Sequence, residues 1–221
     1  MERHFHEELR ALEQKLAEMG ALAEARVRDA VRALVERRPE LAAAVAGGDE
    51  AVNVLELDID ETSLRLLALQ HPVASDLRQV RSAIKATTDL ERVGDQAVNI
   101  ANTALQLLAL PPLKPLHDIE RMADHAANML HDAMTAFSTR DVALAKSVLE
   151  RDTEADAMRD AIFRVLLTHI MADSGTVERA LGVIFVSRAL ERVADHATNI
   201  AEDVIFLVDG RVVSHRVITD D

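Results

Sequence analysis

The sequence predicts an all-α protein, a tandem duplication of an antiparallel three-helix bundle with six long helices. Three observations carry this. The chain of 221 residues has only seven Gly and five Pro, with no Trp or Tyr and five Phe, while good helix formers dominate. Apolar residues recur every three or four positions over long stretches. Finally, a thirteen-residue stretch returns a hundred residues later: Leu90 to Asn102 and Leu190 to Glu202 are identical at nine positions.

The first helix is expected from about Phe5 to Arg38, with Phe5, Leu9, Leu12, Leu16, Met19, Ala23, Val27, Ala30 and Leu34 on one stripe. Pro39 ends it and suits the first turn of the next helix, which runs towards His71. Gly47-Gly48 predicts a kink or break there, since each glycine costs a helix about 1 kcal/mol against Ala. Pro72 and Ser75 bound a third helix that reaches about Leu110. Pro111-Pro112-Leu113-Lys114-Pro115 is the strongest breaker cluster and lies at the midpoint. A fourth helix then reaches about Phe137, and Ser138-Thr139-Arg140-Asp141 reads as a capping box opening the fifth. The sixth starts near Ser174 to Thr176 and ends at Gly210, a plausible C-terminal cap. The resulting division is 1–110 for the first unit, 111–115 for the linker, 116–210 for the second unit and 211–221 for a loose tail.

The repeated stretch carries chemistry as well as packing. Glu91, Asp95 and Asn99, then Glu191, Asp195 and Asn199, fall at i, i+4 and i+8, which lines them along one helical face. Leu90, Val93, Ala97 and Ile100 lie roughly opposite. Like charges at i, i+4 cost a helix about 0.2–0.5 kcal/mol, and packing does not ask for them. A bound cation reverses that sign. In the second helix of each unit, Asp49 and Asn53 match Asp152 and Asp156 at an offset of 103. Were these faces to meet, four or five oxygen ligands would converge, a set suited to hard or borderline ions such as Mg, Ca, Mn or iron, with Zn also admissible. The solvated-face reading, acids simply facing water, stands beside it.

Other classes are disfavoured. A net charge of −13 argues against a nucleic-acid surface. With no Cys there is no thiolate nucleophile or Cys-based metal site. No Glu is followed by His three residues on, so the di-iron carboxylate pattern is missing. No stretch has the apolar length of roughly 20 residues that a membrane span needs, and the amino terminus lacks an apolar signal core. A cytoplasmic protein without direct membrane insertion is expected. His196, next to Asp195 but about 100° round the helix, is an outer-shell candidate at most, and His71, His125, His131 and His169 look isolated.

The duplicated Leu-Glu-Arg-Val-x-Asp-x-Ala-x-Asn-Ile-Ala resembles the signature of the PhoU family of phosphate-transport regulators. Met19-Gly20, the segment Asp49 to Leu55, and Gln70-His71-Pro72-Val73-Ala74 with Asp76-Leu77-Arg78 agree with it. The resemblance covers roughly residues 3 to 210. It implies paired three-helix bundles, multinuclear metal sites at the acidic motifs, and a cytoplasmic, non-enzymatic role in phosphate homeostasis. It also implies negative modulation of uptake and signalling through a phosphate ABC transporter ATPase and a sensor histidine kinase, at the inner face of the membrane. A homodimer is compatible with it. Asn53 departs from the acid expected there, which implies a weaker or smaller first site. A carboxylate-bridged metal-dependent hydrolase or oxidase is the competing reading, and a purely structural bundle would leave the paired acids without a cause.

Overall fold

The computed structural model describes residues 2–48, 50–70, 74–113 and 116–212. They form α1 (Glu2–Val35), α2 (Pro39–Gly47), α3 (Glu50–Gln70), α4 (Ala74–Leu108), α5 (His117–Thr139), α6 (Val142–Ala172) and α7 (Val177–Asp209), with a 3-10 turn at Ser174–Thr176 before α7. There is no strand among the described residues. Pro39 occupies the first turn of α2, and the glycine pair does break the helix: α2 stops at Gly47 and α3 starts at Glu50. The matching α6 runs through unbroken, with Arg151 and Asp152 at the positions that Gly48 and Asp49 hold in the first unit.

Two helix ends depart from the expected chemistry. The capping box at Ser138 does not form, because the Ser138 and Thr139 hydroxyls donate back to the Met134 and Thr135 carbonyls and stay part of α5. Asp141 is the cap instead, its carboxylate accepting from the Leu144 amide at 3.0 Å. Before it, Arg140 takes a left-handed turn at φ 58°, and its repeat mate Arg37 does the same at φ 56° after α1. Arg37 then donates to the Leu108 and Leu110 carbonyls at 2.7 and 3.1 Å, tying the end of α1 to the end of α4. Gly210 closes α7 at φ 69°, as expected.

Four long helices make the centre. α4 packs on α7 and α1 on α5, and these two pairs join the repeats. α2 and α3 cover α1 and α4, while α6 covers α5 and α7. One continuous core runs through both units, with Leu12, Leu16, Met19, Leu90, Ile100, Met122, Leu130 and Phe137 fully buried. The central pairs approach closely. A β-carbon at Gly182 would come within 2.7 Å of Leu107 Cδ2, and one at Gly20 within 2.9 Å of Met134 Cγ.

The break between α2 and α3 is held by a buried cation. Arg26 of α1 donates through Nη2 to the Val45 carbonyl at 2.9 Å and through Nη1 to the Gly48 carbonyl. These carbonyls belong to the end of α2, where helical partners run out. Replacing Arg26 by Met should destabilise the fold by about 1.5–3 kcal/mol, the range for charge-assisted hydrogen bonds. The check is urea unfolding, accompanied by faster amide exchange across residues 45–48; unchanged exchange there would show that the junction holds without Arg26.

Candidate metal site and the seam between the repeats

The paired acids of the second unit come together. α6 lies against α7, and Asp195 feels Glu191 of its own helix together with Asp152 and Asp156 of α6. Its carboxyl is held above the ordinary carboxylate range, first by burial and then by those three negative charges, with His196 acting in the opposite direction. A cation is already among them. Arg159 donates through Nη1 to Glu191 Oε1 at 2.7 Å and lies 2.9 Å from Asp156 Oδ1, while Nη2 donates to Asp160 at 2.9 Å. Burial works against charge on Arg159, yet the hydrogen bond to Asp160 and the charges of Glu191 and Asp156 keep it more firmly protonated than usual. Among the described residues no three acid or histidine side chains are already set as a metal cage. Within the second cluster a guanidinium engages both Asp156 and Glu191.

The first unit is looser. Glu91 and Asp95 of α4 are approached by Arg92 at 3.4 and 3.8 Å. Asn53 is exposed on α3, Glu56 is partly buried on the same helix, and Asp49 lies outside the described residues. Asn99 is exposed, and its backbone carbonyl accepts from Thr103.

Asn199 and His196 are engaged across the seam where α4 and α7 pass antiparallel. Both meet one oxygen of Asp89, Asn199 Nδ2 at 3.0 Å and His196 Nδ1 at 2.9 Å. Around them a cavity of about 420 Å³ is lined by Arg92, Asp95, Gln96, Arg192, Asp195, His196 and Asn199. One acid of each motif, Asp95 and Asp195, therefore lines a common cleft at the middle of the seam. Of the other histidines, His125 meets the Arg151 carbonyl at 3.0 Å and His131 meets Glu24 at 3.1 Å, while His71 lies outside the described residues.

Further along the seam, the Asp203 side chain is only 5% exposed and pairs with Lys85 at 3.2 Å and Arg81 at 3.6 Å. Burial raises its carboxyl pKa in spite of the Lys85 and Arg81 charges. Arg81 also covers the Phe206 ring at 4.2 Å. Sequence reasoning missed Asp89, Asp203 and Arg159. Only Arg159 had a local signal, an opposite charge one turn after Asp156.

A duplicated helical bundle whose third helices bring paired acid motifs to a shared seam defines the class. The profile of the PhoU domain matches residues 16–104 and 117–204. The chain is 41% identical over 207 residues to the phosphate-specific transport system accessory protein PhoU homolog of Caulobacter vibrioides, covering 93% of this chain and 90% of that protein. It is 37% identical over 211 residues to the phosphate-specific transport system accessory protein PhoU of Serratia marcescens, covering 96% and 87%. The crystal structure of PhoU from Pseudomonas aeruginosa superposes with a TM-score of 0.90 at 38% identity, over 94% of this chain and 100% of that one. That of the phosphate transport system regulatory protein PhoU from Streptococcus pneumoniae gives 0.88 at 31% identity, over 95% and 99%. The chain belongs to the PhoU family.

The raised carboxyl of Asp195 has a pH consequence in metal-free protein. The folded state holds this proton more tightly than the unfolded chain does. Stability therefore falls as pH rises from the unfolded pKa through the raised folded one, and stays lower above it. Replacing Asp195 by Asn should make the chelator-treated protein more stable than the parent at neutral pH. The two should converge in acid, below both pKa values. Urea unfolding between acid and neutral pH reads this, and a parent that gains stability over the mutant on raising pH contradicts it.

Proposed function

We propose that this chain is a non-enzymatic, metal-binding regulator of phosphate homeostasis. It acts through protein partners, a phosphate ABC transporter ATPase and a sensor histidine kinase, whose activity it damps. The observation that carries the metal reading is that Asp156 of α6 and Glu191 of α7 share one Arg159 nitrogen, beside a partly buried Asp195 that Glu191, Asp152 and Asp156 surround with negative charge. Their donor set fits a hard or borderline cation, since it is all carboxylate oxygen. Asp152 and Asp156 from α6 and Glu191 and Asp195 from α7 would hold it in the second unit; Glu91 and Asp95, with Asp49, would do so in the first. The ion would neutralise the clustered charge and cross-link neighbouring helices. The names of the relatives, accessory proteins of phosphate-specific transport, support the role in phosphate homeostasis.

Replacing Glu191 and Asp195 together by Gln and Asn keeps the helix and removes two charges. The double mutant should lose second-site metal, measured by elemental analysis after dialysis. Its melting should become nearly insensitive to chelator through that site, whereas metal should stabilise the parent by about 2.7 kcal/mol at a hundredfold excess over Kd. Equal metal content and equal chelator shifts in both proteins would make the acids a solvated face.

Partner binding has its own test. No helix among the described residues is long and apolar enough to cross a membrane, and the net charge is −13. Attachment to the inner face of the membrane should therefore run through protein. The chain should co-purify with the transporter ATPase or the kinase from native membranes, and should bind protein-free anionic liposomes weakly at physiological salt. Tight liposome binding would reverse this reading.

A further inference from the structure

The cleft on the seam brings one pattern of side chains together from both repeats. Arg92, Asp95 and Gln96 of α4 line it, and so do their repeat mates Arg192, Asp195 and His196 of α7. Ser82 donates to the Asp203 carbonyl and Asp89 meets His196, and these two contacts fix the antiparallel register of the helices. In that register Arg92 comes level with Arg192. We propose that the cleft is an oxyanion site that takes phosphate, gripped by one arginine from each repeat. The proposal goes beyond the metal reading of the preceding subsection and does not need it.

Several groups of the cleft have no partner among the described residues. Gln96 is only 8% exposed, yet its amide makes no hydrogen bond there, a costly state for a buried polar group. Arg192 makes no ion pair, and the Asp195 carboxylate accepts no hydrogen bond. His196 gives Nδ1 to Asp89 at 2.9 Å, which leaves Nε2 for a ligand. Arg92 meets Glu91 and Asp95 of its own helix at 3.4 and 3.8 Å. Two guanidiniums brought level repel each other, and neither can shed its charge. An anion between them removes that repulsion, and the guanidinium fork matches the oxygens of a phosphoryl group. A tetrahedral ion has two-fold symmetry, which suits a grip from two matched sides. The carboxylates decide which anion enters. Sulfate at neutral pH shows Asp95 and Asp195 only bare oxygen and is repelled by them. Phosphate keeps a proton, so its P–OH can donate to a carboxylate, which only accepts. The Gln96 amide, both donor and acceptor, serves either kind of phosphate oxygen. A cleft of about 420 Å³ leaves room for the ion with water around it.

The test is calorimetric titration of the full-length, chelator-treated protein with inorganic phosphate, sulfate and glycerol phosphate, at neutral pH and physiological salt. Phosphate should bind saturably, and about tenfold or more tighter than sulfate. Glycerol phosphate should bind no tighter than phosphate, since no group of the cleft is set aside for an ester. Arg192→Gln should weaken phosphate binding about tenfold or more, because a bidentate charged partner is lost. Asp95→Asn should narrow the gap between phosphate and sulfate. Gln96→Met, similar in volume, should weaken phosphate binding yet leave the ligand-free protein at least as stable as the parent, because it removes an unpaired buried amide. A parent that does not bind phosphate saturably, or binds sulfate equally well, overturns the proposal. So does a folded Arg192→Gln that binds phosphate like the parent, or a Gln96→Met that melts lower without ligand. A monoester bound tighter than phosphate overturns the assignment to the free ion. Binding that appears only after metal is restored would place phosphate on the metal, which overturns this site and leaves the metal reading standing. A parent that binds phosphate but no metal overturns only the metal reading.

Discussion

The closeness of α4 and α7 is the constraint on which the rest depends. Both helices bury many small side chains, among them Ala86, Ala97, Ala101 and Ala104 on α4 and Gly182, Ala194, Ala197 and Ala201 on α7, and Gly182 sits directly against Leu107 of α4. Small residues let two long helices run close together, so dispersion contacts accumulate along their length. Gly182 shows how tight the fit is, because a single β-carbon there would press on Leu107. With α4 and α7 set at this separation, every polar group on their facing sides must find a partner or line a cleft. Asp89, His196, Asn199 and Asp203 find partners, and Asp95 and Asp195 line the cleft.

That placement explains why the carboxylates are poised rather than merely exposed. On a free helix Glu191 and Asp195 would repel each other weakly through water. Packed between α6 and α4, Asp195 loses part of its hydration and gains Asp152 and Asp156 as neighbours. Burial and like charge act in the same direction, so positive charge is favoured there. The fold answers with Arg159, a positive side chain rooted one turn from Asp156. Its guanidinium lowers the mutual repulsion of the acids it joins.

How much was legible in the sequence follows from which interactions are local. Helix identity, the break at Gly47-Gly48 and the cap at Gly210 depend on near neighbours along the chain, and they could be read directly. The alignment of Glu191 with Asp195 is a matter of helical pitch, and the repeat gave Asp152 and Asp156 as companions. Local chemistry failed where a residue acted against type. Arg37 and Arg140 adopt left-handed turns usually filled by Gly, and Ser138 and Thr139 bond backwards instead of capping forwards. Asp89 and Asp203 were illegible for another reason. Their partners lie more than a hundred residues away, and only the register of α4 on α7 brings them together.

The same register shows how the duplicated halves have diverged. A duplication packed on itself starts with two equivalent ends to its seam. Here one end is ionic: Arg78 donates to the Leu207 carbonyl, Ser82 to the Asp203 carbonyl, and Lys85 and Arg81 pair with the Asp203 carboxylate. At the offset of 100, Ser82, Lys85 and Arg81 become Gly182, Phe185 and Leu181, and Asp203 corresponds to Thr103. The acid and its two cations have thus changed together. Electrostatics requires this, because a buried carboxylate that kept its place after losing Lys85 and Arg81 would be left uncompensated, a loss of several kcal/mol. The end without these charges is apolar and packs Gly182 on Leu107, yet it leaves Leu181 and Phe185 43% and 57% exposed. Packing positions such as Leu90 and Leu190 or Ile100 and Ile200 stayed the same, since both ends share one core. Other buried apolar positions differ in size between the repeats, Val80 and Ala180, Ala83 and Val183, or Ala86 and Val186, so the core has been repacked while the ionic set at Asp203 differs as a unit.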